Sequence, residues 1–162
     1  MSVLVRAARP AELQEVGRLT LEAYAHSGYI VEEDFYAAHL LDAAARAADA
    51  ELYVAVLDDR LAGTVTYCPE GSPFREVAGP GEGEFRMLAV SPAARRRGVA
   101  EALVRHCLDR ASTLGCEAVA ISSLPVQVEA HALYTRLGFV RAPERDWAPR
   151  PGIDLLGFRL VL

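Results

Sequence analysis

The chain contains no lysine and no asparagine, and all seventeen of its basic residues are arginine. Lacking lysine, it cannot form a G-x-x-x-x-G-K-[ST] phosphate loop and offers no side-chain amine for modification. Cysteine is also scarce. Cys68, Cys107 and Cys116 are an odd number with no C-x-x-C pair, which argues against a disulfide framework or a cysteine zinc site and makes a reducing cytoplasm the expected setting. The four histidines show no mutual spacing that suggests a metal. Excess positive charge is absent too: the net charge of -5 excludes a phosphate-backbone binder or a membrane-surface protein and favours a cationic substrate. Long apolar runs are missing. The longest, Leu52 to Leu57, is far too short to span a bilayer, and the charged start MSVLVRAARPAELQ does not read as a targeting signal.

What remains is a globular composition, 52% hydrophobic and 24% charged over 162 residues, which predicts one domain spanning 1–162. Val3 to Ala7 reads as a strand. Leu13, Val16, Thr20 and Ala23 recur at helical spacing, and Phe35, Ala38 and Leu41 repeat it inside an Ala-rich helical segment from Val31 to Ala48. ELYVAVL and LAGTVTYC, separated by Asp58, Asp59 and Arg60, predict a hairpin. Pro69 to Gly83 holds four Gly and three Pro in fifteen residues, a loop of a length that implies mobility or function.

That loop enters the strand EFRMLAV (84–90). From Gly98 a stripe of Val99, Leu103, Val104, Cys107, Leu108 and Ala111 predicts a helix closed by Gly115. EAVAIS (117–122) reads as a strand buried on both faces. Ala130, Leu133, Tyr134 and Leu137 mark a last helix closed by Gly138, and strands fit Phe139 to Trp147 and Ile153 to Val161. The order β-α-α-β-β-β-α-β-α-β-β is a mixed α/β fold.

The segment EFRMLAVSPAARRRGVAEALV carries the chemistry. A strand, an Arg- and Gly-containing loop and a helix start present unpaired backbone N–H groups and the positive end of a helix dipole, which together cradle an anion such as phosphate. Gly98 permits close backbone approach. Gly79, Gly81 and Gly83 precede a strand instead of opening a helix, so they are no dinucleotide fingerprint. A solvated basic helix start is the bland alternative.

Arg95-Arg96-Arg97-Gly98-Val99-Ala100 resembles the [Q/R]-x-x-G-x-[G/A] motif of the GNAT superfamily of N-acetyltransferases. Ala130 to Phe139 resembles its A-x-x-L-Y-x-x-x-G-F signature. The resemblance implies a single GNAT domain with a mostly antiparallel central sheet of about seven strands, and acetyl-coenzyme A as the donor cofactor. It places the pyrophosphate on backbone N–H groups of about Arg96 to Glu101, with Arg95, Arg96, Arg97, Gly98, Val99 and Ala100 around it. Leu88, Ala89 and Val90 would pair with pantetheine where strand 84–90 splays from strand 117–122 at a bulge. Gln127 stands where the family usually has Asn, and it keeps the same amide donors and acceptor.

The resemblance also assigns roles. Tyr134 matches the family tyrosine that protonates the leaving thiolate, Glu84 is the candidate base, and a strand N–H near Leu88 would stabilise the oxyanion. Without the family, Tyr134 reads as a core tyrosine and Glu84 as a charged strand end. Ser122 falls where some relatives carry a basic-site Glu. Acceptor-side candidates are Tyr24, His26, Tyr29, Arg86, Asp146 and Trp147, aromatics and a carboxylate suited to an ammonium group. The expected reaction is acetyl transfer to a primary amine, on a small molecule or a peptide, by direct attack in a ternary complex. A non-catalytic coenzyme A sensor is the alternative, and dimers are common among relatives.

Overall fold

β1 (Leu4–Ala7) pairs antiparallel with β2 (Glu51–Leu57), which returns through a two-residue turn to β3 (Arg60–Tyr67) in the computed structural model, which describes residues 2–30 and 35–162. Both turn residues, Asp58 and Asp59, hold positive φ of 53° and 61°. That is the left-handed pair a tight hairpin turn demands, and Asp tolerates it better than most residues.

α1 (Leu13–His26) lies between β1 and β2 in sequence and buries Val16, Gly17, Leu19, Thr20 and Ala23, the face its spacing predicts. Gly17 is there for contact. A Cβ at Gly17 would meet the Leu41 carbonyl oxygen at 2.2 Å, so only glycine lets the two helical segments approach. The single helix expected over 31–48 is replaced, in its described part, by α2 (Ala37–Leu41) and α3 (Ala43–Asp49), while residues 31–34 lie outside the described residues. Asp42 makes the break. It leaves helical geometry at φ −84°, ψ 67°, and its carboxylate accepts the Ala45 N–H at 3.0 Å to start the next helix. The buried Arg46 then donates to the carbonyls of His39 and Leu40 at 2.7 and 3.1 Å, satisfying the end of α2.

The loop 69–83 ends in β4 (Glu82–Gly83), followed at once by β5 (Phe85–Val90). β4 pairs parallel with β6 (Ala118–Ser123), whereas β5 pairs antiparallel with β3. The chain therefore belongs to one sheet, order β4-β6-β9-β7 with β7 at Val140–Arg141 and β9 at Ile153–Val161, up to Gly83 and to another, order β1-β2-β3-β5, from Phe85. α4 (Val99–Thr113) packs its predicted stripe of Val99, Leu103, Val104, Cys107 and Ala111 into the main core. α5 (Val128–Leu137) adds Leu133 and Tyr134.

The tail differs from expectation. Instead of one strand over 139–147 there is a short β7 (Val140–Arg141), a turn of 3-10 helix at Pro143–Arg145, and β8 (Trp147–Arg150), which pairs only with β9 (Ile153–Val161). Pro143 lacks the N–H that a continuous ladder needs. The mixed α/β layout holds, with nine short strands among the described residues, in split sheets in place of about seven in one.

Glu82 pins the second sheet. Its buried carboxylate accepts a bidentate pair from Arg145 at 2.8 and 2.9 Å, Arg159 Nε at 2.7 Å and the Gly79 N–H at 2.8 Å. Arg145 above all holds its pKa down to about 2. Because the folded pKa lies below the unfolded one, this stabilisation, on the order of 3 kcal/mol, is complete above about pH 5 and lost as pH falls toward 2. Chemical denaturation across that range is expected to show the loss in the wild type and a flatter profile in Glu82→Gln. Parallel pH profiles would contradict the assignment.

Candidate active site

A groove of about 450 Å³ runs between β5 and β6 and ends at the start of α4. It exists because the two strands are not paired with each other: β5 ends one sheet, and β6 is bounded by β4 and β9 in the other. Registers Thr66↔Arg86 and Thr64↔Ala89 place one extra residue on β5, a bulge in which Met87 takes φ 54°. A bulge bends its strand and leaves ladder groups unpaired, as expected for this segment. Leu88, Ala89 and Val90 line the groove along that edge.

At the far end Gly98 is the N-cap of α4 with φ 78°, preceded by Arg96 at φ 62°. The first amide bonded back into the helix is that of Ala102, to the Gly98 carbonyl, so the N–H groups of Val99, Ala100 and Glu101 have no helical acceptor. A Cβ on Gly98 would meet nothing within 4 Å. Glycine is required here for its backbone angle, with open space beyond it. Arg95 lines the groove, donates to Ser27 Oγ on α1's C-cap, and keeps a buried Nε with no partner. An anion would satisfy that group and the free amides together.

Most of the sequence-predicted cofactor set meets in the groove: Arg95, Arg96, Gly98, Val99, Ala100 and Glu101 at its head, with Gln127 on the opposite wall. Arg97 does not. It turns outward to Asp58 of the β2–β3 turn at 3.3 Å, because the left-handed Arg96 reverses the chain between them. Gln127 Oε1 accepts from Ser123 Oγ at 2.7 Å and the Leu124 N–H at 2.8 Å, which closes the turn into α5.

Tyr134 also lines the groove. Its ring packs against Phe85, Phe139 and Phe158 at 5.5 to 6.0 Å, so the core reading of this residue holds for the ring. Its hydroxyl has no hydrogen-bond partner among the described residues, and burial raises the phenol pKa, which keeps it protonated at neutral pH.

Glu84 faces elsewhere. It is fully buried, lines neither cavity, and its Oε1 accepts the N–H groups of Glu76, Val77 and Ala78, each at 3.0 Å. The long loop is thus tied down by a carboxylate instead of being left loose.

A second cavity of about 470 Å³ adjoins the groove and shares Tyr24, Tyr29, Arg86, Met87 and Ser122 with it. Tyr24 and Tyr29 meet edge to face at 6.0 Å. Arg86 pairs through Nε with Glu76 at 3.0 Å, and donates to the Phe74 carbonyl at 3.1 Å and to Tyr36 Oη at 3.0 Å. Three acceptor-side expectations fail to reach this space. Trp147 lines neither cavity and donates to Ser122 Oγ at 3.4 Å from behind. Asp146 is held by Arg141 at 2.8 and 2.9 Å and by the Gly157 N–H at 2.7 Å, which drives its pKa to about 2. His26 is exposed at the end of α1.

Among the described residues, the carboxylate that does line the second cavity is Glu76, which sequence reasoning missed. Its signal was the loop itself, too long for a bare connection. Among the described residues there is no cluster able to hold a metal ion and no helix long and apolar enough to cross a membrane.

Since its hydroxyl is unpartnered, Tyr134→Phe is expected to change unfolding free energy by less than about 1 kcal/mol. A larger loss in urea denaturation would show that the hydroxyl is structural.

Comparison with curated proteins gives no match. Among solved structures, the chain is similar to the PaiA N-acetyltransferase of Thermoplasma acidophilum in complex with coenzyme A (13% identity, all of both chains, TM-score 0.77). It is also similar to a GNAT-family acetyltransferase of Staphylococcus aureus Mu50 (10% identity, 99% of both chains, TM-score 0.76). The Escherichia coli ribosomal-protein-S18-alanine N-acetyltransferase matches at 17% identity over 99% of this chain and 94% of its own, with a TM-score of 0.71. Such identities establish the fold. The family description "Acetyltransferase (GNAT) family" matches residues 13–139, most of the sequence, so the chain belongs to that family of acetyltransferases.

Proposed function

We propose that this chain transfers an acetyl group from acetyl-coenzyme A to a primary amine by direct attack with both substrates bound. The observation that carries the reading is the continuous path from the open β5 edge, Leu88 to Val90, to the free amides at the start of α4. Residues Arg96 to Glu101 suit a diphosphate, and the β5 edge suits an extended chain of amides. The buried unpaired Nε of Arg95 and the open space at Gly98 support this fit. Acetyl-coenzyme A, when bound, supplies an acetyl thioester activated toward amines.

The remaining work falls to the chain's own groups. Tyr134 holds a proton at its hydroxyl in the groove, available to a departing thiolate. A β5 amide near Leu88 would donate to developing negative charge. Tyr24, Tyr29 and Arg86 border both cavities and would orient the acceptor. Direct attack is supported by the cysteines. Cys68, Cys107 and Cys116 line neither cavity, and burial raises the thiol pKa of Cys107 well above its ordinary value, leaving no thiolate there to carry the acetyl group.

Thiol release from acetyl-coenzyme A with a panel of small amines and peptide N-termini tests the reading. Tyr134→Phe is expected to lower kcat about 100-fold with the coenzyme A Kd unchanged. Gly98→Val is expected to raise that Kd about 10-fold or more by disallowing the left-handed cap. Equal kcat for Tyr134→Phe would remove the acid from the mechanism, and tight coenzyme A binding without turnover of any amine would favour a sensor.

A further inference from the structure

We propose that Glu76 is the general base for the acceptor amine and that Glu84 is the residue that positions it. The inference rests on the reading just given. Glu76 is exposed as a whole residue, but its side chain is only 20% accessible and lines the cavity beside the groove. One carboxylate oxygen, Oε1, is fixed by Arg86 Nε at 3.0 Å. The other accepts no hydrogen bond among the described residues, which leaves it able to meet a substrate. Arg86 is itself held from two further sides, by the Phe74 carbonyl and Tyr36 Oη, so the carboxylate is aimed by a rigid cation.

Glu84 supplies the second layer. Its Oε1 gathers the amides of Glu76, Val77 and Ala78, three successive donors whose orientation sets where the Glu76 side chain leaves the backbone. The candidate base read from the strand thus acts one step back, through the loop.

Among the described residues, the ionisable groups around Glu76 are Arg86 and Cys68 on the strand side, Glu84 behind, and Tyr24, Tyr29, Tyr36, His39 and Arg150 on the cavity walls. Burial raises the Glu76 pKa and Arg86 opposes this, which keeps a stronger base than a free carboxylate that still ionises.

The proton balance is complete. An acceptor ammonium gives one N–H proton to Glu76, and its freed electron pair forms the N–C bond to the acetyl carbon as the C–S bond breaks. Tyr134 gives its proton to sulfur and is restored by the second proton leaving the nitrogen. Glu76 releases its own to solvent. Tyr24, Tyr29, Tyr36 and Phe74 line that cavity, an aromatic lining that would suit a primary amine on a compact aromatic or apolar body.

Kinetics from pH 5 to 9 with 2-phenylethylamine and an alanine-terminated peptide, beside coenzyme A calorimetry, separate the two readings. Glu76→Gln is expected to keep the wild-type coenzyme A Kd while kcat/KM falls about 100-fold and the acidic limb of the profile disappears. Glu84→Gln is expected to lower kcat/KM but keep that limb. A readout apart from turnover is the ¹³C carboxyl signal of Glu76 in labelled protein, expected to shift when an accepted amine is added.

A Glu76→Gln enzyme within threefold of wild type with the same acidic limb would overturn the proposal. So would a Glu76 carboxyl signal indifferent to every amine that is turned over. Failure of the wild type to bind coenzyme A or acetylate any amine would overturn the acetyltransferase reading itself, and this inference with it.

Discussion

The strand that leaves one sheet for the other is the constraint from which the site follows. Residues 82–83 hydrogen bond with β6, and from Phe85 the same stretch of chain bonds with β3 instead. A β-strand has two edges, and changing partner this way strips one edge of β5 bare along its length. Elsewhere an unpaired edge is an aggregation hazard that proteins cover or charge. Here it faces a groove walled by α5 and β6. The bulge at Met87 then turns β5 away from a flat ladder, and the strand delivers the chain to the loop that begins α4.

Charge pairing fixes both sides of that divergence. Glu82, with Arg145 and Arg159, clamps the end of β4 to the second sheet. Two residues later Glu84 ties the preceding loop to the root of β5. Arg86, two residues further, joins that loop to Tyr36. Three alternate positions therefore point their side chains toward one region, as strand periodicity requires, and all three hold the loop that precedes β4. Arg95 extends the pattern by joining the α4 loop to the C-cap of α1, so the head of the groove and the end of that helix share one framework.

Much of this was legible in sequence because the signals are local. The α4 stripe, the strand 153–161, the hairpin and the Arg-Gly loop each announce themselves through spacing or turn chemistry, and the structure places them as read. The split between α2 and α3 escaped because an Ala-rich segment hides a cap residue as weak as a single Asp. The lining of the candidate site was legible where backbone geometry carries it, at Leu88 to Val90 and Gly98. They were not where a side chain had a choice of partner. Arg97 finds Asp58, Asp146 finds Arg141, and Glu84 finds three amides. Glu76 gave no periodic cue, being in a loop whose path is set by contacts distant in sequence.

The account depends most on the free amides after Arg95 and the bare β5 edge acting as one binding surface. A crystal structure of the chain with coenzyme A measures that directly. The account predicts diphosphate oxygens within hydrogen-bond distance of the N–H groups between Arg96 and Glu101, and pantetheine amides paired along Leu88 to Val90. A nucleotide thiol lodged elsewhere, or a β5 edge left unpaired beside it, would contradict it.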